Sequence, residues 1–254
     1  MGRGYVIRYE KSYMIKKIIN NSLNLLGYHI IKKPSLEADI KEGKFNWLRE
    51  AGIKTIIDVG ANDGLFALRI NKILPEASIY SFEPIEEVYE RLNSNVSGIN
   101  NIKTFNFALG EQETEKDFYI NEFSPSSSFL AMQDKHVEAF PYTAQNKTKK
   151  YRVHTLDNVA GKISLDPAVM LKLDVQGYEL NVLRGAEEFL KNVQIIQAEV
   201  SFVELYKDQP LFDDVYRYLY ERGFKYSGNI DQLPEPKTNQ ILQADAIFIR
   251  NING

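Results

Sequence analysis

Apolar residues along this chain gather in short runs, and segments with helical spacing separate those runs. "KTIIDVG" is a β-branched run closed by glycine. "LFALRINKIL" follows it with apolar positions at helical spacing and stops before Pro75. The first reads as a buried strand and the second as an amphipathic helix. The alternation continues through "SIYSFEP", a second strand ending at Glu83, the helix "IEEVYERLNSNV" and a third strand "IKTFNFALG". After an irregular middle come the buried strand "AVMLKLDVQG", the helix "ELNVLRGAEEFLKN", the strand "VQIIQAEVS" and the helix "LFDDVYRYLYERG". "FKYSGNI" and "QADAIFIR" have no helical segment between them, so they are expected to pair as an antiparallel hairpin. This order predicts an α/β fold: a mostly parallel seven-stranded sheet, closed by that hairpin, with helices on both faces.

Ahead of the first strand, "SLEADIKEGKFNWLREAG" reads as a helix capped by Ser35 and ended by Gly52. Residues 1–34 read as an arm in which Met14, Ile15, Ile18, Ile19, Leu23, Leu25 and Leu26 recur at helical spacing, with Lys11, Lys16 and Lys17 mostly opposite. Such a helix packs on its own domain or on a partner subunit of a homo-oligomer, or lies peripherally on an anionic membrane. Its charges leave no apolar run of the length needed for spanning or export. The expected organisation is an amphipathic arm over 1–34 and a single domain over 35–254.

Composition narrows the chemistry. A chain of 254 residues, 44% of them apolar, buries a core without disulfides or metals. With 31 basic and 34 acidic residues it has no basic field to attract nucleic acid. The absence of cysteine removes thiol nucleophiles, disulfides and thiolate metal sites, and fits a reducing, cytoplasmic compartment. Three histidines, His29, His136 and His154, are too few for a multi-histidine metal centre.

The informative stretch is "TIIDVGANDGLFALRI", where a strand runs into Gly60, Asn62 and Gly64 before a helix. Glycine lets the chain bend and a ligand approach closely, and ligands in open α/β sheets bind at the carboxyl ends of the strands. Glu83 ends the second strand, where an acid accepts hydrogen bonds from both ribose hydroxyls of a nucleotide. A dinucleotide site would need G-x-G-x-x-G and room for a pyrophosphate. Here Asp58 and Asp63 stand beside the loop, and carboxylates there favour a cationic ligand such as S-adenosylmethionine.

In the order "IIDVGANDG", "YSFEP", "FNFALG", "SSSF", "HTLD", "LKLDVQGYELNVLRGA", "QAEV" and "QADAIFI", the chain resembles the FkbM-type S-adenosylmethionine-dependent methyltransferases over roughly residues 40 to 250. The resemblance implies a Rossmann-like class I methyltransferase fold and methyl transfer to a hydroxyl of a saccharide or other small molecule. It implies a cofactor set of Asp58, Gly60, Asn62, Gly64, Glu83, Pro84, Phe107, Ala108 and Asp174. Of these, Gly60, Asn62 and Gly64 would cradle the methionine part, Glu83 the ribose, and Phe107 and Ala108 the adenine. One position departs from the family pattern: Gln176 stands where a glutamate is usual.

Methyl transfer from a sulfonium needs an aligned acceptor oxygen and a group to take its proton. Asp174, at the carboxyl end of the fourth principal strand, is the candidate base, with Glu179 and Glu199 near enough to assist; the alternative is that Asp174 caps the following helix. His154 is a second candidate base by its residue type, though a lone histidine on a strand also serves structure. Asp157 is expected to cap a turn. Asp174, Glu199 and Asp157 are hard donors of the kind magnesium accepts, so a metal remains open, but sequence alone cannot bring them together and none is assigned. The serines of "EFSPSSSFLAMQDKHVEAFPYTAQNKTKK", the least regular region, suit either a substrate loop or a solvent loop. Two other functions remain open: a nicotinamide oxidoreductase, and a membrane-associated scaffold using the basic arm.

Overall fold

The apolar runs become adjacent strands because each can hide both faces only between two neighbours. The computed structural model describes residues 43–121, 127–133, 146–235 and 238–251. The chain divides into units Met1–Lys41 and Glu42–Gly254, and all described residues belong to the second. The amphipathic arm, the Ser35 cap and the expected boundary at residue 34 lie outside them. The described part of the expected first helix is α1 (Trp47–Glu50), ended at Gly52 with φ +69°.

Then follow β1 (Thr55–Val59), α2 (Leu65–Ile73), β2 (Ser78–Phe82), α3 (Glu86–Asn95), β3 (Ile102–Phe105), β4 (Ala108–Leu109), β5 (Thr114–Asn121), β6 (Asn146–His154) and α4 (Leu156–Ala160). The second half supplies β7 (Val169–Leu173), α5 (Glu179–Arg184), β8 (Val193–Ser201), α6 (Phe212–Glu221), β9 (Phe224–Pro234) and β10 (Ile241–Arg250). Seven strands form one sheet in the order β3-β2-β1-β7-β8-β10-β9. The first five are parallel, and β10 runs antiparallel to both β8 and β9. This is the doubly wound sheet with a closing hairpin that the alternation predicts. β1 and β7, at its centre, are buried at all five positions.

Side chains alternate between faces along each strand. Ile56, Ile79, Met170 and Ile195 pack under α1 and α2, whereas Ile57, Leu171, Ile196 and Ala198 pack with α4, α5 and α6. Each such aliphatic side chain contributes about 1.5–3 kcal/mol on burial. Among the described residues no helix is long and apolar enough to cross a membrane.

Three expectations need correction. The third strand does not run unbroken to Gly110. Asn106 donates its side-chain amide to the carbonyls of Glu83 and Pro84 at 3.0 and 3.1 Å, and the chain leaves the large sheet there. It re-enters order as β4, which pairs with β6 in a second sheet of order β4-β6-β5. That sheet was invisible in the sequence because "TEKDFYIN" and "NKTKKYRVH" interleave charge with a few apolar residues, of which Phe118, Tyr151 and Val153 turn inward. The long helix expected over 179–192 breaks into α5 and a 3₁₀ turn, Phe189–Asn192. Gly185 lies so close to the carbonyl of Gly110 that a Cβ would sit 1.9 Å from it. Asp157 accepts from the N–H groups of Glu188 and Phe189 at 3.1 and 2.7 Å and so starts that turn.

Candidate active site

The loop after β1 is held by backbone. The N–H groups of Gly60 and Ala61 both donate to the Phe82 carbonyl at 3.0 Å, and the Asp174 N–H donates to the Val59 carbonyl at 3.1 Å. Gly60 has φ +76°, and a Cβ built on it would stand 1.9 Å from the Asp174 carbonyl oxygen. Only glycine permits both the dihedral and the approach. Gly60→Ala is therefore expected to destabilise the fold by more than about 2 kcal/mol, measured by denaturant unfolding. An unchanged midpoint would show that the loop can move away.

Below the loop lies a lysine that sequence reasoning overlooked. Lys172, in the apolar run "VMLKL", pairs in register with Asp58 across β1 and β7. Its ammonium is 3.2 Å from Asp58 Oδ1 and 3.4 Å from Asp174 Oδ2, and it donates to the Gly60 carbonyl at 3.1 Å. Burial opposes its charge, but the Asp58 and Asp174 carboxylates outweigh that and hold its pKa above the ordinary lysine range. Burial pushes Asp58 upward while Lys172 pulls it back. The signal in the sequence was a single cation inside a central strand.

A cavity opens above this layer at the carboxyl ends of the parallel strands. Gly60, Asn62, Glu83, Pro84, Phe107, Ala108, Asp174 and Glu199 line it, so eight of the expected positions converge. The other four do not line it. Asp58 is wholly buried beneath the loop, aimed at Lys172. Gly64, with φ +84°, serves the start of α2, packed where a Cβ would meet Leu92. Glu179 is buried and accepts from the N–H groups of Val175 and Gly177 at 2.9 and 3.3 Å, holding the 174–178 loop from within. Burial pushes its carboxyl up to about 7. His154 faces outward against Glu113, 2.7 Å away, with the Phe107 ring beside it. Glu113 is held down at about 2, first by the N–H of Thr155. Asp63 does not line the cavity either, so the acidity expected from Asp58 and Asp63 comes instead from Glu83, Asp174 and Glu199. No lysine, arginine or histidine lines it among the described residues.

Glu83 is almost completely buried. One carboxylate oxygen accepts from the Asn62 N–H at 3.0 Å and the other from the Ile85 N–H at 2.9 Å. Burial raises its pKa to about 7. Each oxygen keeps a lone pair, which suits a further donor on each.

At the opposite wall, the Gln176 amide nitrogen donates to Asp174 Oδ1 at 2.9 Å and to Glu199 Oε2 at 2.7 Å. Gln243 also donates to that Glu199 oxygen at 2.9 Å, and the Tyr206 hydroxyl donates to Gln176 Oε1 at 3.0 Å. Burial and then the neighbouring Asp174 carboxylate push Glu199 well above the usual range. Ser127 lines the cavity and Ser128 Oγ donates to the Gln176 carbonyl at 2.7 Å, so part of the expected serine loop does reach the site. Asp157 stays on its 3₁₀ turn, and among the described residues no three acids or histidines converge as a metal-binding set.

The family model described as "Methyltransferase FkbM domain" matches residues 58–226. Among curated proteins, the chain is similar to the 2-O-methyltransferase NoeI of Sinorhizobium fredii, 26% identical over 161 residues, which are 61% of this chain and 66% of that one. It is also similar to the AMB antimetabolite synthetase AmbE of Pseudomonas aeruginosa, 29% identical over 57% of this chain and 8% of the relative. The chain thus spans less than two thirds of either relative. Among solved structures, an rRNA methylase from Streptococcus thermophilus matches with a TM-score of 0.44 and 13% identity, over 87% of this chain and 98% of that one.

Proposed function

This chain belongs to the FkbM methyltransferase family, and from that premise we propose that it transfers the methyl group of S-adenosylmethionine to a hydroxyl oxygen of a saccharide or other small molecule. The observation that carries the cofactor assignment is the cavity wall: three acidic side chains, whose ionised forms a bound cation would favour, and no cation among its described residues. That wall favours a ligand bearing a sulfonium and an ammonium and disfavours the pyrophosphate of a nicotinamide dinucleotide. Glu83 would accept the ribose hydroxyls, Phe107 and Ala108 would flank the adenine, and Gly60 and Asn62 would border the methionine part. When bound, this cofactor supplies an electrophilic methyl and its own leaving group. Oxygen as the accepting atom is supported by the carboxylate pair opposite and by the relative named as a 2-O-methyltransferase.

The chain's own work is to orient the acceptor and remove its proton. Asp174, one residue beyond β7, has its Oδ1 held by Gln176 and its Oδ2 beside Lys172, which keeps the carboxylate aimed. We assign it as the group that accepts the hydroxyl proton as the oxygen–carbon bond forms. Glu199 stands beside it as a second acceptor, and the apolar wall of Phe82, Phe107 and Phe129 excludes water.

Calorimetric titration with S-adenosylhomocysteine tests the reading. Wild-type chain is expected to bind, Glu83→Ala to bind about tenfold or more weakly through the lost ribose hydrogen bonds, and NADH not to bind. The titration carries a pH signature. Glu83 holds its proton up to about 7 in the folded chain against 4.5 ordinarily. The folded state thus binds the extra proton over that interval, and the ligand-free chain loses stability as pH rises through it. The ligand prefers the ionised carboxylate, so affinity tightens over the upper part of the same interval and levels off above it. A folded wild type that ignores S-adenosylhomocysteine would sink the assignment.

A further inference from the structure

We propose that Gln176 is a positioning residue whose amide takes the part of a cation, holding Asp174 and Glu199 together as a paired proton acceptor that needs no divalent ion. The inference rests on the methyl-transfer reading for the word acceptor and on geometry for the rest. Two carboxylates this close repel unless a proton, a metal or N–H donors lie between them. Here one nitrogen supplies both donors, at 2.9 Å to Asp174 and 2.7 Å to Glu199, and an amide nitrogen has two hydrogens to give. The opposite amide orientation would set a carbonyl oxygen against two carboxylates, so the network fixes which way the group faces. Tyr206 completes it by donating to Oε1.

A loop-tethering role does not account for this arrangement. The backbone around Gln176 is tethered separately: Ser128 Oγ holds its carbonyl, and Glu179 receives the N–H groups on either side of it. The side chain is left to the two carboxylates lining the cavity. The residue adopts φ +53°, a left-handed conformation uncommon outside glycine, which aims the amide at that pair. An isosteric glutamate would put a third carboxylate at the same point, a trio of hard oxygen donors that calls for a divalent cation or extra protons.

The test uses the full chain, Mn²⁺ as probe, and the variants Q176E and Q176L. Melting is followed at about pH 6 and about pH 8, with and without Mn²⁺. Lys172 on β7, Glu179 on α5, Asp245 on β10 and Tyr206 after β8 also face the pair. They are common to all three proteins and drop out of the differences. Wild type is expected to show no response to Mn²⁺. Q176E is expected to lose melting temperature as pH rises, to regain it with Mn²⁺, and to bind Mn²⁺ at least about tenfold more tightly than wild type. Q176L, which adds no charge but removes both donors, decides the matter if Q176E does not fold: it should lose stability with rising pH. Equal Mn²⁺ affinity in wild type and Q176E, or variants whose melting tracks wild type across pH, overturns the proposal. S-adenosylhomocysteine titration of the same wild-type sample keeps the two ideas apart. Failure there overturns the functional reading alone, while a missing Mn²⁺ and pH pattern overturns the amide clamp alone.

Discussion

Asp174→Asn is expected to lower turnover by about 10²–10⁴-fold, with S-adenosylhomocysteine binding within a few-fold of wild type. The amide keeps the shape and the acceptor for Gln176, and Lys172 keeps Asp58 and the Gly60 carbonyl, so the cavity should survive the change. What is lost is the group that takes the proton from an alcohol, a poor nucleophile while protonated. The measurement is methyl transfer to whichever saccharide or small-molecule hydroxyl wild type accepts, alongside calorimetry. Glu199→Gln is the companion variant. Full activity in Asp174→Asn with a collapse in Glu199→Gln would move the base to Glu199, whose raised affinity for protons makes it the stronger base once ionised. Activity retained by both would remove base catalysis by either carboxylate.

Lys172→Met should carry the largest stability effect in the molecule. Asp58 is completely buried and Lys172 nearly so, and removing one partner of such a pair leaves an unpaired charge inside the sheet. The cost is about 3–5 kcal/mol, or roughly 10 °C in melting temperature for a domain of this size. The pH dependence identifies the cause. Burial already holds Asp58 above its ordinary 3.8 in the folded chain, and without its cation it rises further, so the folded variant keeps a proton to higher pH than wild type while the unfolded chain releases it. The variant's deficit therefore grows as pH rises through that window and shrinks on acidification. Lys172→Met with Asp58→Asn should recover most of the loss. A deficit that is independent of pH and persists in the double variant would mean that lost packing, not the charge, is responsible.

Strands buried on both faces announce themselves as apolar runs, so "TIIDV", "VMLKL" and "VQIIQAEVS" were legible, as was the hairpin that lacks an intervening helix. The small sheet was not, because it covers the domain on one side only and its outward positions are charged. The break at Gly185 was equally hidden, since the obstacle is the Gly110 carbonyl, far away in sequence.

For the site, the sequence by itself determined the order of strands and helices, the glycine turn after β1, the strand-end position of Glu83 and family membership. The first three follow from local pattern and spacing, and family membership from the likeness of the motifs running from "IIDVGANDG" to "QADAIFI". Only the tertiary structure decided which acids act. Asp58 and Glu83 both look like acids at the end of an apolar run. Asp58, however, lies inside its strand opposite Lys172, whereas Glu83 lies one residue past its strand and faces the cavity. Asp58 pairs with Ser81, so Glu83 stands two positions further along, on the same side but past the last paired residue. That advance beyond the strand end, not a change of face, carries a carboxylate from the core to the cavity, and the partner each meets is set by register. The same holds for Gln176. Its identity is written in the sequence, but the two carboxylates it bridges come together only when β7 and β8 lie side by side.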